Sequence, residues 1–445
     1  MKIPKRAPDI QQLVKALATR PKGLEAVALC PMAPTHEGRY IHWQKLRFYP
    51  PPHGLTHEQW WLAMKAGRQS IARNVPLTDL GGTPFVFSQF DVVWEYLYRV
   101  DRDVLDRIKP ADQPMADPLD EKRVIGHFLT EEAIASSQLE GASTTRRVAK
   151  DMIRSGRAPR DRSEVMIRNN YLAMQQIKRL TDKPLTQRII LDLHQTLTTG
   201  TMDDPSAVGR FRRPEELVRV YDYDDQVLHE PPPARELPAR TAAMLDFANG
   251  KTPREFIHPV VRAIVLHFWL AYDHPFLDGN GRCARALFYW AMLKHGYGFS
   301  EYLSISQLIR EAPAKYGRAF LYTETDGNDL TYFLLYHLDV IERAIKEFRH
   351  YVARKTREVR QTQRLIHASA AFNYRQLAVL SYALRHPDAE FTIGSHQTSQ
   401  RVVHQTARMD LYDLADRGLL LKRKIGRTFH FYPAEDLETK LRQAK

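Results

Sequence analysis

The segment PVVRAIVLHFWLAYD, residues 259–273, limits the fold more than any other part of the chain. Apolar side chains cover almost the whole circumference of a helix with this sequence, and such a helix has to be buried among other helices. Further segments repeat apolar residues three or four positions apart, as amphipathic helices do: LTHEQWWLAMKAGRQSIA, FSQFDVVWEYLYRVDRDVLDRI, SEVMIRNNYLAMQQIKRL and TQRIILDLHQTLTTG. The sequence therefore predicts a mainly α protein built around a central buried helix.

Two segments carry strand signals. Residues 219–233, RVYDYDDQVLHEPPP, have two short alternating arms about an Asp-rich turn, which is typical of a small β-hairpin. Near the C-terminus, LLLKRKIGRTFHFY forms a similar pair that turns at Ile425–Gly426. The segment between them, YHLDVIERAIKEFRHYVARKTREVRQTQRLIH, is charged and contains neither Gly nor Pro. It predicts a long helix that joins a large helical body to a small C-terminal unit.

The composition excludes several classes of protein. The apolar share of 43% and charged share of 26% are those of a soluble globular protein, and no run of eighteen apolar residues predicts a membrane span. The basic start, MKIPKRAPDIQQLVKAL, lacks the apolar stretch of a signal peptide. Cys30 and Cys283 are too few for a disulfide framework or a four-cysteine zinc site. We expect a cytoplasmic protein that does not contact a membrane.

The positive charge is concentrated near the C-terminus. Residues 351–445 contain 17 Lys and Arg against 9 Asp and Glu, so they carry +8 of the net charge of +13. This bias indicates a polyanionic partner for the C-terminal part of the chain. A solvated basic surface that aids solubility is the alternative interpretation.

The segment HPFLDGNGR, residues 274–282, follows the central helix and leads into a second helix that starts near Asn280. Gly279 and Gly281 allow backbone amides to crowd together, and amides at a helix N-terminus form an anion site suited to phosphate. Arg282 and Arg285 are three residues apart, so both can reach one face and grip phosphate oxygens.

Two further side chains give this segment its chemistry. Asp278 is a hard oxygen ligand that could hold Mg²⁺ against the same phosphates, and His274 is suited to taking a proton from a hydroxyl. An EF-hand calcium loop is excluded because Cys283 and Tyr289 stand where Gly and Glu are required. The chain has no P-loop motif either. The remaining alternative is a tight turn between helices whose histidine caps a helix.

The segment HPFLDGNGRCAR resembles the signature of Fic-domain proteins, H-x-F-x-[DE]-G-N-[GK]-R-x-x-R, at every defined position. The resemblance implies transfer of AMP from ATP to a Ser, Thr or Tyr hydroxyl of a protein, with Mg²⁺. His274 would be the base and Asp278 the metal ligand. The phosphates would bind the next four residues, which are Gly279, Asn280, Gly281 and Arg282, and Phe276 would anchor the segment in the core.

The resemblance runs from about Phe128 to Leu338. It implies that the hairpin at 219–229 is a flap that holds a target segment by strand addition. Members of the family often have two adjacent tyrosines near the adenine, whereas this chain has Tyr316–Gly317 at the corresponding place.

The segment LTEEAIASSQLEGAS, which starts at Leu129, predicts a helix with Thr130 as its N-cap and Gly141 as its stop. Glu140 then lies at the C-terminus of that helix, where the helix dipole disfavours a carboxylate. Ser136, one turn earlier, can hydrogen-bond to it. This unfavourable position suggests that Glu140 has a partner elsewhere in the protein.

The letters S-S-Q-L-E-G resemble the inhibitory motif [ST]-x-x-x-E-[GN] of Fic proteins that carry an inhibitory helix before the catalytic core. By that resemblance Glu140 would pair with Arg285 and keep ATP in an unproductive position. In some relatives this glutamate also helps to remove AMP from targets. An ordinary surface glutamate is the alternative.

The C-terminal residues predict three helices followed by a basic hairpin, which is the order of a winged helix-turn-helix. The third helix would bury one apolar stripe and turn four side chains outward: His404, Gln405, Arg408 and Tyr412. The hairpin offers four cations for phosphate contacts: Lys422, Arg423, Lys424 and Arg427. Binding of DNA and contacts with protein, including formation of a homodimer, both stay open.

The predicted fold class is mainly α, a Fic-type helical bundle with a small hairpin flap followed by a winged-helix domain. We expect an N-terminal helical region at 1–120, a Fic domain at 121–340 with an inhibitory helix near 131–140, a helical linker at 341–370 and a winged helix-turn-helix at 371–445. The leading hypothesis is an autoinhibited enzyme that transfers AMP to hydroxyls of other proteins or of its own chain. The alternatives are a DNA-binding regulator whose Fic domain senses nucleotide, and a hydrolase that removes AMP.

Overall fold

The computed structural model describes residues 1–21, 23–105, 118–222, 224–367, 372–426 and 428–443. The chain divides into two compact units, Met1–Lys346 and Glu347–Lys445. Helices dominate both units and the sheets are small and antiparallel, which confirms the predicted mainly α class. Within the described residues, no helix is both long and apolar enough to cross a membrane.

The helices are, in chain order, α1 (Ile10–Ala18), α2 (Glu25–Ala28), α3 (Trp43–Leu46), α4 (His57–Ser70), α5 (Asp91–Leu105), α6 (Pro118–Leu139), α7 (Arg146–Ser155), α8 (Arg162–Lys178), α9 (Gln187–Thr198), α10 (Leu237–Ala248), α11 (Pro259–Asp273), α12 (Asn280–Lys294), α13 (Ile305–Glu311), α14 (Pro313–Thr325), α15 (Thr331–His367), α16 (Tyr374–Arg385), α17 (Ile393–Gln400), α18 (His404–Asp416) and α19 (Leu437–Gln443). The strands are β1 (Ala72–Thr78), β2 (Pro84–Ser88), β3 (Val220–Tyr221), β4 (Val227–His229), β5 (Phe391–Thr392), β6 (Leu420–Ile425) and β7 (Thr428–Pro433).

The core of the first unit is built around α11, the helix that the sequence predicts to be buried on all sides. Nearly every side chain of α11 is buried, including Phe268 and Trp269, which confirms that prediction. Helix α12 packs along α11, while α6, α8 and α9 pack around α12. The short connection between α11 and α12 therefore lies within a rigid frame of helices, and its backbone is held in a fixed conformation.

The first unit contains one hairpin that the sequence analysis missed. Strands β1 and β2 pair antiparallel from Ala72↔Ser88 to Thr78↔Pro84. Their inward residues, Val75, Leu77, Phe85 and Phe87, alternate along the strands and are almost fully buried. The last residues of β2, Phe87 and Ser88, also fit the periodicity of the following helix, so the sequence predicted that this helix begins at Phe87, whereas α5 begins at Asp91. Burial against α11 decides in favour of the strand (Phe85 packs on Phe268).

Helix α6 is longer than expected. It begins at Pro118, so Thr130 lies inside the helix and donates its hydroxyl hydrogen to the Gly126 carbonyl at 2.7 Å instead of capping the N-terminus. The prediction of a helix that starts near residue 131 is therefore wrong. The two acids after Thr130 have tertiary partners instead of helix N–H groups: Glu131 pairs with Arg146 at 2.6 Å, and Glu132 accepts a hydrogen bond from the Ser306 N–H at 3.0 Å.

The second unit contains α16, α17, α18 and α19 and a three-stranded sheet in the order β5-β7-β6. Its core consists of side chains from the helices and from the sheet: Leu380, Leu411, Leu414, Leu420 and Phe431. The three helices before the hairpin and the hairpin itself agree with the prediction, whereas β5 was not predicted. Arg427 lies outside the described residues.

Candidate functional site

The connection between α11 and α12 has two left-handed residues. His274 ends α11 with φ 47°, and its N–H still donates to the Leu270 carbonyl at 3.0 Å. Gly279 precedes α12 with φ 87°, a conformation that favours glycine. A Cβ at Gly279 would also lie 2.7 Å from Cγ2 of Thr198 on α9. Both the backbone conformation and the close packing on α9 therefore require a glycine at this position.

The side chain of Asn280 holds the connection together. Its Oδ1 accepts from the Phe276 N–H at 2.9 Å, and its Nδ2 donates to the Phe276 carbonyl at 2.8 Å. Both polar atoms are thus used inside the protein, and the side chain is buried. A phosphate contact at Asn280 is consequently available through its main-chain N–H, since the first intrahelical bond of α12 is Cys283 N–H to Gly279 carbonyl.

His194 on α9 supports the connection and was not predicted from the sequence. Its ring stacks on Phe276 with the centroids 3.8 Å apart. Nε2 donates to the Asp278 carbonyl at 2.9 Å and Nδ1 accepts from the Gly209 N–H at 3.0 Å, so this geometry requires a neutral ring. Burial lowers the pKa of His194 to about 4, which keeps the ring neutral. The signal available in the sequence was a histidine on the apolar face of α9.

The ring of His274 is oriented by the end of its own helix. Nδ1 donates to the Ala271 carbonyl at 3.0 Å, and because a carbonyl can only accept, the proton of the neutral ring is on Nδ1. Nε2 therefore carries a lone pair. Burial lowers the pKa of His274 to about 4, against the opposing effect of the Ala271 bond, so the ring is neutral at pH 7. A neutral imidazole with a free lone pair is the form that can accept a proton.

Arg212 holds the backbone on the other side of His274 and was also missed. Its Nε donates to the His274 carbonyl at 2.9 Å, and its main-chain N–H donates to the Pro275 carbonyl at 2.8 Å. A terminal nitrogen donates to the Pro232 carbonyl. The guanidinium is buried, and its hydrogen bonds hold the backbone of the connection between α11 and α12 in place.

Asp278 and Arg282 form an ion pair at the start of α12. Nη2 of Arg282 donates to Oδ2 of Asp278 at 2.9 Å, and Nη1 donates to the Leu197 carbonyl at 3.1 Å. The Arg282 side chain is fully buried, whereas the Asp278 side chain is 46% exposed. This differs from the expectation that Arg282 and Arg285 extend together towards a phosphate, because Arg282 is turned inward to hold Asp278.

The Asp278 carboxylate fits one ligand position of a Mg²⁺ ion. It accepts from the Gly279 N–H at 2.6 Å and from Arg282, and a carboxylate has about four lone-pair positions in total. No cluster of three or more His, Cys, Asp and Glu that could hold a metal occurs among the residues that the structure describes. The remaining ligands would have to be phosphate and water oxygens, which is the common arrangement for Mg²⁺.

Glu140 lies just after the end of α6 and meets Arg285 of α12. Nη2 of Arg285 donates to Oε1 of Glu140 at 2.8 Å and to the Ser136 carbonyl at 3.0 Å, while Nε donates to Oγ of Ser136 at 2.9 Å. Ser136 therefore binds Arg285, in place of the expected bond to Glu140. Burial disfavours the charge of Arg285, but Glu140 outweighs it and the pKa of Arg285 is raised.

Gly281 allows the Glu140 carboxylate to approach the first turn of α12. A Cβ on Gly281 would lie 2.2 Å from Oε1 of Glu140, which is far inside contact distance. Gly281 has ordinary helical backbone angles, so its hydrogen side chain is needed for space and not for a positive φ. The carboxylate thus covers the N-terminal turn of α12 directly.

Residues 184–292 match the family model described as Fic/DOC family. This part of the chain is therefore similar to the Fic/DOC family. It is 27% identical over 215 residues to the protein adenylyltransferase Fic of Nematostella vectensis, which covers 43% of this chain and 48% of the relative. It is 30% identical over 135 residues to that of Drosophila willistoni, covering 29% and 25%. The chain thus spans about half or less of these relatives.

Two solved structures share the fold. A Fic family protein from Desulfovibrio desulfuricans has a TM-score of 0.52 at 19% identity, over 78% of this chain and 98% of that protein. A portion of Fic-1 from C. elegans has a TM-score of 0.51 at 17% identity, over 78% of this chain and 97% of that one. At these identities the likeness concerns the fold.

The hairpin predicted at 219–229 is present, beside the connection between α11 and α12. β3 and β4 pair antiparallel, with Val220 opposite His229 and Tyr221 opposite Val227. His229 fastens the hairpin, because Nε2 donates to the Tyr272 carbonyl at 2.7 Å and Nδ1 lies 2.8 Å from Oε2 of Glu324. Burial lowers the pKa of His229, but Glu324 outweighs this effect and the pKa is raised overall. In the described part of the chain, no third strand pairs with β3 or β4.

Tyr316, the tyrosine that precedes Gly317, lies on α14. Its hydroxyl is 2.9 Å from Nε2 of His267, and burial raises its pKa to about 12. At Gly317 the side chain of Met1 occupies the neighbouring space, since a Cβ there would lie 2.6 Å from Cε of Met1. The surroundings of this position are therefore built partly from the N-terminal segment.

Proposed function

We propose that the protein transfers AMP from ATP to a Ser, Thr or Tyr hydroxyl of a protein, with Mg²⁺, and that Glu140 restrains this activity. The observation that carries the proposal is the lone pair on Nε2 of a neutral His274 in the same short connection that leads to the N-terminal amides of α12, which have no intrahelical acceptor. The distant relatives named protein adenylyltransferases support the same reaction.

The reaction needs one base and one phosphate site. The hydroxyl oxygen of the target attacks the α-phosphorus of ATP, its proton passes to Nε2 of His274, and the bond between the α-phosphorus and the bridging oxygen breaks to release pyrophosphate. A histidine with its Nδ1 proton fixed on Ala271 presents the correct tautomer throughout. Because the ring is neutral at pH 7, it is ready to accept the proton.

The phosphates would lie against the N-terminal turn of α12. Three main-chain N–H groups there precede the first intrahelical hydrogen bond: those of Asn280, Gly281 and Arg282. Together with the helix dipole they favour an anion at this point. Asp278, held by Arg282, would contribute one ligand to Mg²⁺, and a bound Mg²⁺ would neutralise part of the phosphate charge.

Glu140 competes with a nucleotide for the same groups. Its carboxylate is bonded to Arg285 and lies on Gly281, where a terminal phosphate would need both a cation and space. A second negative charge at this position would also repel the phosphate. ATP could then bind without Arg285, in a position that does not present its α-phosphorus to His274. Removal of the carboxylate should release the activity.

The acceptor would be an extended segment of a protein. The hairpin β3–β4 has two short strands with outer edges, and an extended peptide can add to such an edge through main-chain hydrogen bonds. His229 fixes the hairpin to α14 and to the end of α11, next to His274. This arrangement would position a hydroxyl side chain of the added strand near Nε2.

The test uses ATP labelled in its α-phosphate, with Mg²⁺ and with the chain itself and a protein mixture as acceptors. Glu140→Gly should transfer label to protein, whereas Glu140→Gly combined with His274→Ala should not. ATP labelled in its γ-phosphate should leave the protein unlabelled, and label from it would indicate phosphorylation instead. No transfer by Glu140→Gly, or equal transfer by the double variant, would overturn the proposal. Loss of label after addition of the parent protein would favour the alternative of AMP removal.

A further inference from the structure

The second unit exposes basic side chains on α18 and on β6 of the hairpin β6–β7. Near the start of α18 the exposed side chains are His404, Gln405 and Arg408, while the opposite side buries Ala407 and Leu411. On β6 three successive cations are exposed: Lys422, Arg423 and Lys424. None of these side chains has a role in the AMP transfer proposed above, so their exposed positive charge indicates a separate function.

Tyr412 joins the helix to the hairpin. The Arg408 guanidinium lies 5.3 Å from the centre of the Tyr412 ring, and Nζ of Lys422 lies 4.4 Å from it. Two cations from different elements thus share one aromatic ring. Arg408, Tyr412 and Lys422 thus form one patch, in which the exposed face of α18 lies beside β6.

The cations of this patch have no acidic partners among the residues described here. Within the described part of this unit, no carboxylate forms an ion pair with Arg408, Lys422, Arg423 or Lys424, whereas three acids are already paired: Asp410 with Arg375, Asp413 with Arg417 and Asp436 with Lys440. Uncompensated like charges on one surface repel each other, and a polyanion relieves that repulsion.

The frame behind the patch is rigid. Asp410 on α18 accepts from Nε of Arg375 on α16 at 2.6 Å and lies 3.2 Å from Nε2 of His396 on α17. This buried group fixes the angles of three helices. Helices α17 and α18 are separated by residues 401–403, where Arg401 has φ 52°. A short turn between two packed helices, followed by a hairpin, is the order of a winged helix-turn-helix.

We propose that this patch binds duplex DNA, with the exposed face of α18 in the major groove and β6–β7 on the phosphate backbone. The major groove is about 12 Å wide and admits one helix. The polar side chains of α18 would contact base edges, and the lysines and arginine of β6 would contact phosphates. This proposal is independent of the AMP transfer proposed above.

The test measures binding of the full chain to labelled random-sequence DNA duplexes by fluorescence anisotropy. With about three phosphate contacts from β6, log K against log salt should have a slope near −2.7, which is a fall of about 40-fold in affinity between 50 and 200 mM salt. The triple variant Lys422→Ala, Arg423→Ala, Lys424→Ala should reduce the steepness of this slope by about 2.7. A matched control removes three exposed cations of the first unit, Lys15→Ala, Arg235→Ala and Arg254→Ala, and should leave it unchanged.

A second variant, Arg408→Ala, tests whether α18 contacts base edges. After selection of the preferred duplexes from the random pool, this variant should lose the sequence preference while it keeps most of the salt dependence. Absence of duplex binding at low salt, an equal loss in the control variant, or tighter binding to RNA or to single strands than to duplex DNA would overturn the proposal.

Discussion

Replacement of Glu140 by glycine is the perturbation with the clearest expected effect. In the parent, Arg285 is almost fully buried and bonded to Glu140 at 2.8 Å, and this contact must break before a phosphate can use the guanidinium. A hydrogen bond between charged groups contributes about 1.5–3 kcal/mol. If that is the free energy needed to free Arg285, its removal should accelerate AMP transfer by about 10- to 150-fold.

The assay compares initial rates of transfer from α-labelled ATP for the parent and three variants. Glu140→Gln keeps the size of the side chain but not its charge, so it should give an intermediate rate. Glu311→Gly is the matched control, because Glu311 also ends a helix, α13, and pairs with an arginine, Arg343, at 3.0 Å. Its rate should equal that of the parent. The reasoning fails if Glu140→Gly is no faster than the parent, or if Glu311→Gly accelerates transfer to the same extent.

Three further results are expected. Asn280→Ala removes two buried hydrogen bonds to Phe276 and should lower the free energy of unfolding by about 2–4 kcal/mol, as measured by urea denaturation. A loss near zero would contradict the conclusion that this side chain stabilises the connection between α11 and α12. Burial lowers the pKa of His194 in the folded state to about 4, so between about pH 4 and 6.5 the unfolded chain binds more protons at this residue than the folded protein does. His194 should therefore make the free energy of unfolding rise by up to about 1.4 kcal/mol per pH unit in this range. His194→Gln should make the free energy of unfolding depend less on pH. In Glu140→Gly, kcat/KM should stay level as pH falls from 8 and decline only as His274 is protonated with its pKa of about 4; a decline centred near 6.5 would contradict the buried, neutral base.

The parts of the site that lie in one segment could be predicted from the sequence. The all-round apolar pattern of residues 259–273 and the glycines after it specify a buried helix, a tight connection and a second helix, and the structure has all three. Glu140 was singled out because a carboxylate at a helix C-terminus is locally unfavourable, and its partner Arg285 is 145 residues away.

The supports of the site could not be predicted, because they come from distant parts of the chain. His194 is 84 residues from Asp278, and Arg212 is 62 residues from His274. Each donates to a backbone carbonyl, and because every residue has a carbonyl, the sequence of residues 274–279 does not indicate these partners. The prediction that Thr130 caps a helix is wrong because capping signals are local, whereas the start of α6 at Pro118 depends on the residues before Thr130. At the end of β2, burial of the strand against α11 outweighed the local helical pattern.

The most direct measurement is a crystal structure of the Glu140→Gly variant with Mg²⁺ and the ATP analogue that carries a methylene bridge between the α- and β-phosphates. We expect the phosphates against the first turn of α12, the Arg285 guanidinium on the terminal phosphate and Nε2 of His274 facing the α-phosphorus. Phosphates bound elsewhere, or a His274 ring turned away from the α-phosphorus while Arg285 keeps only its bonds to Ser136, would contradict the account.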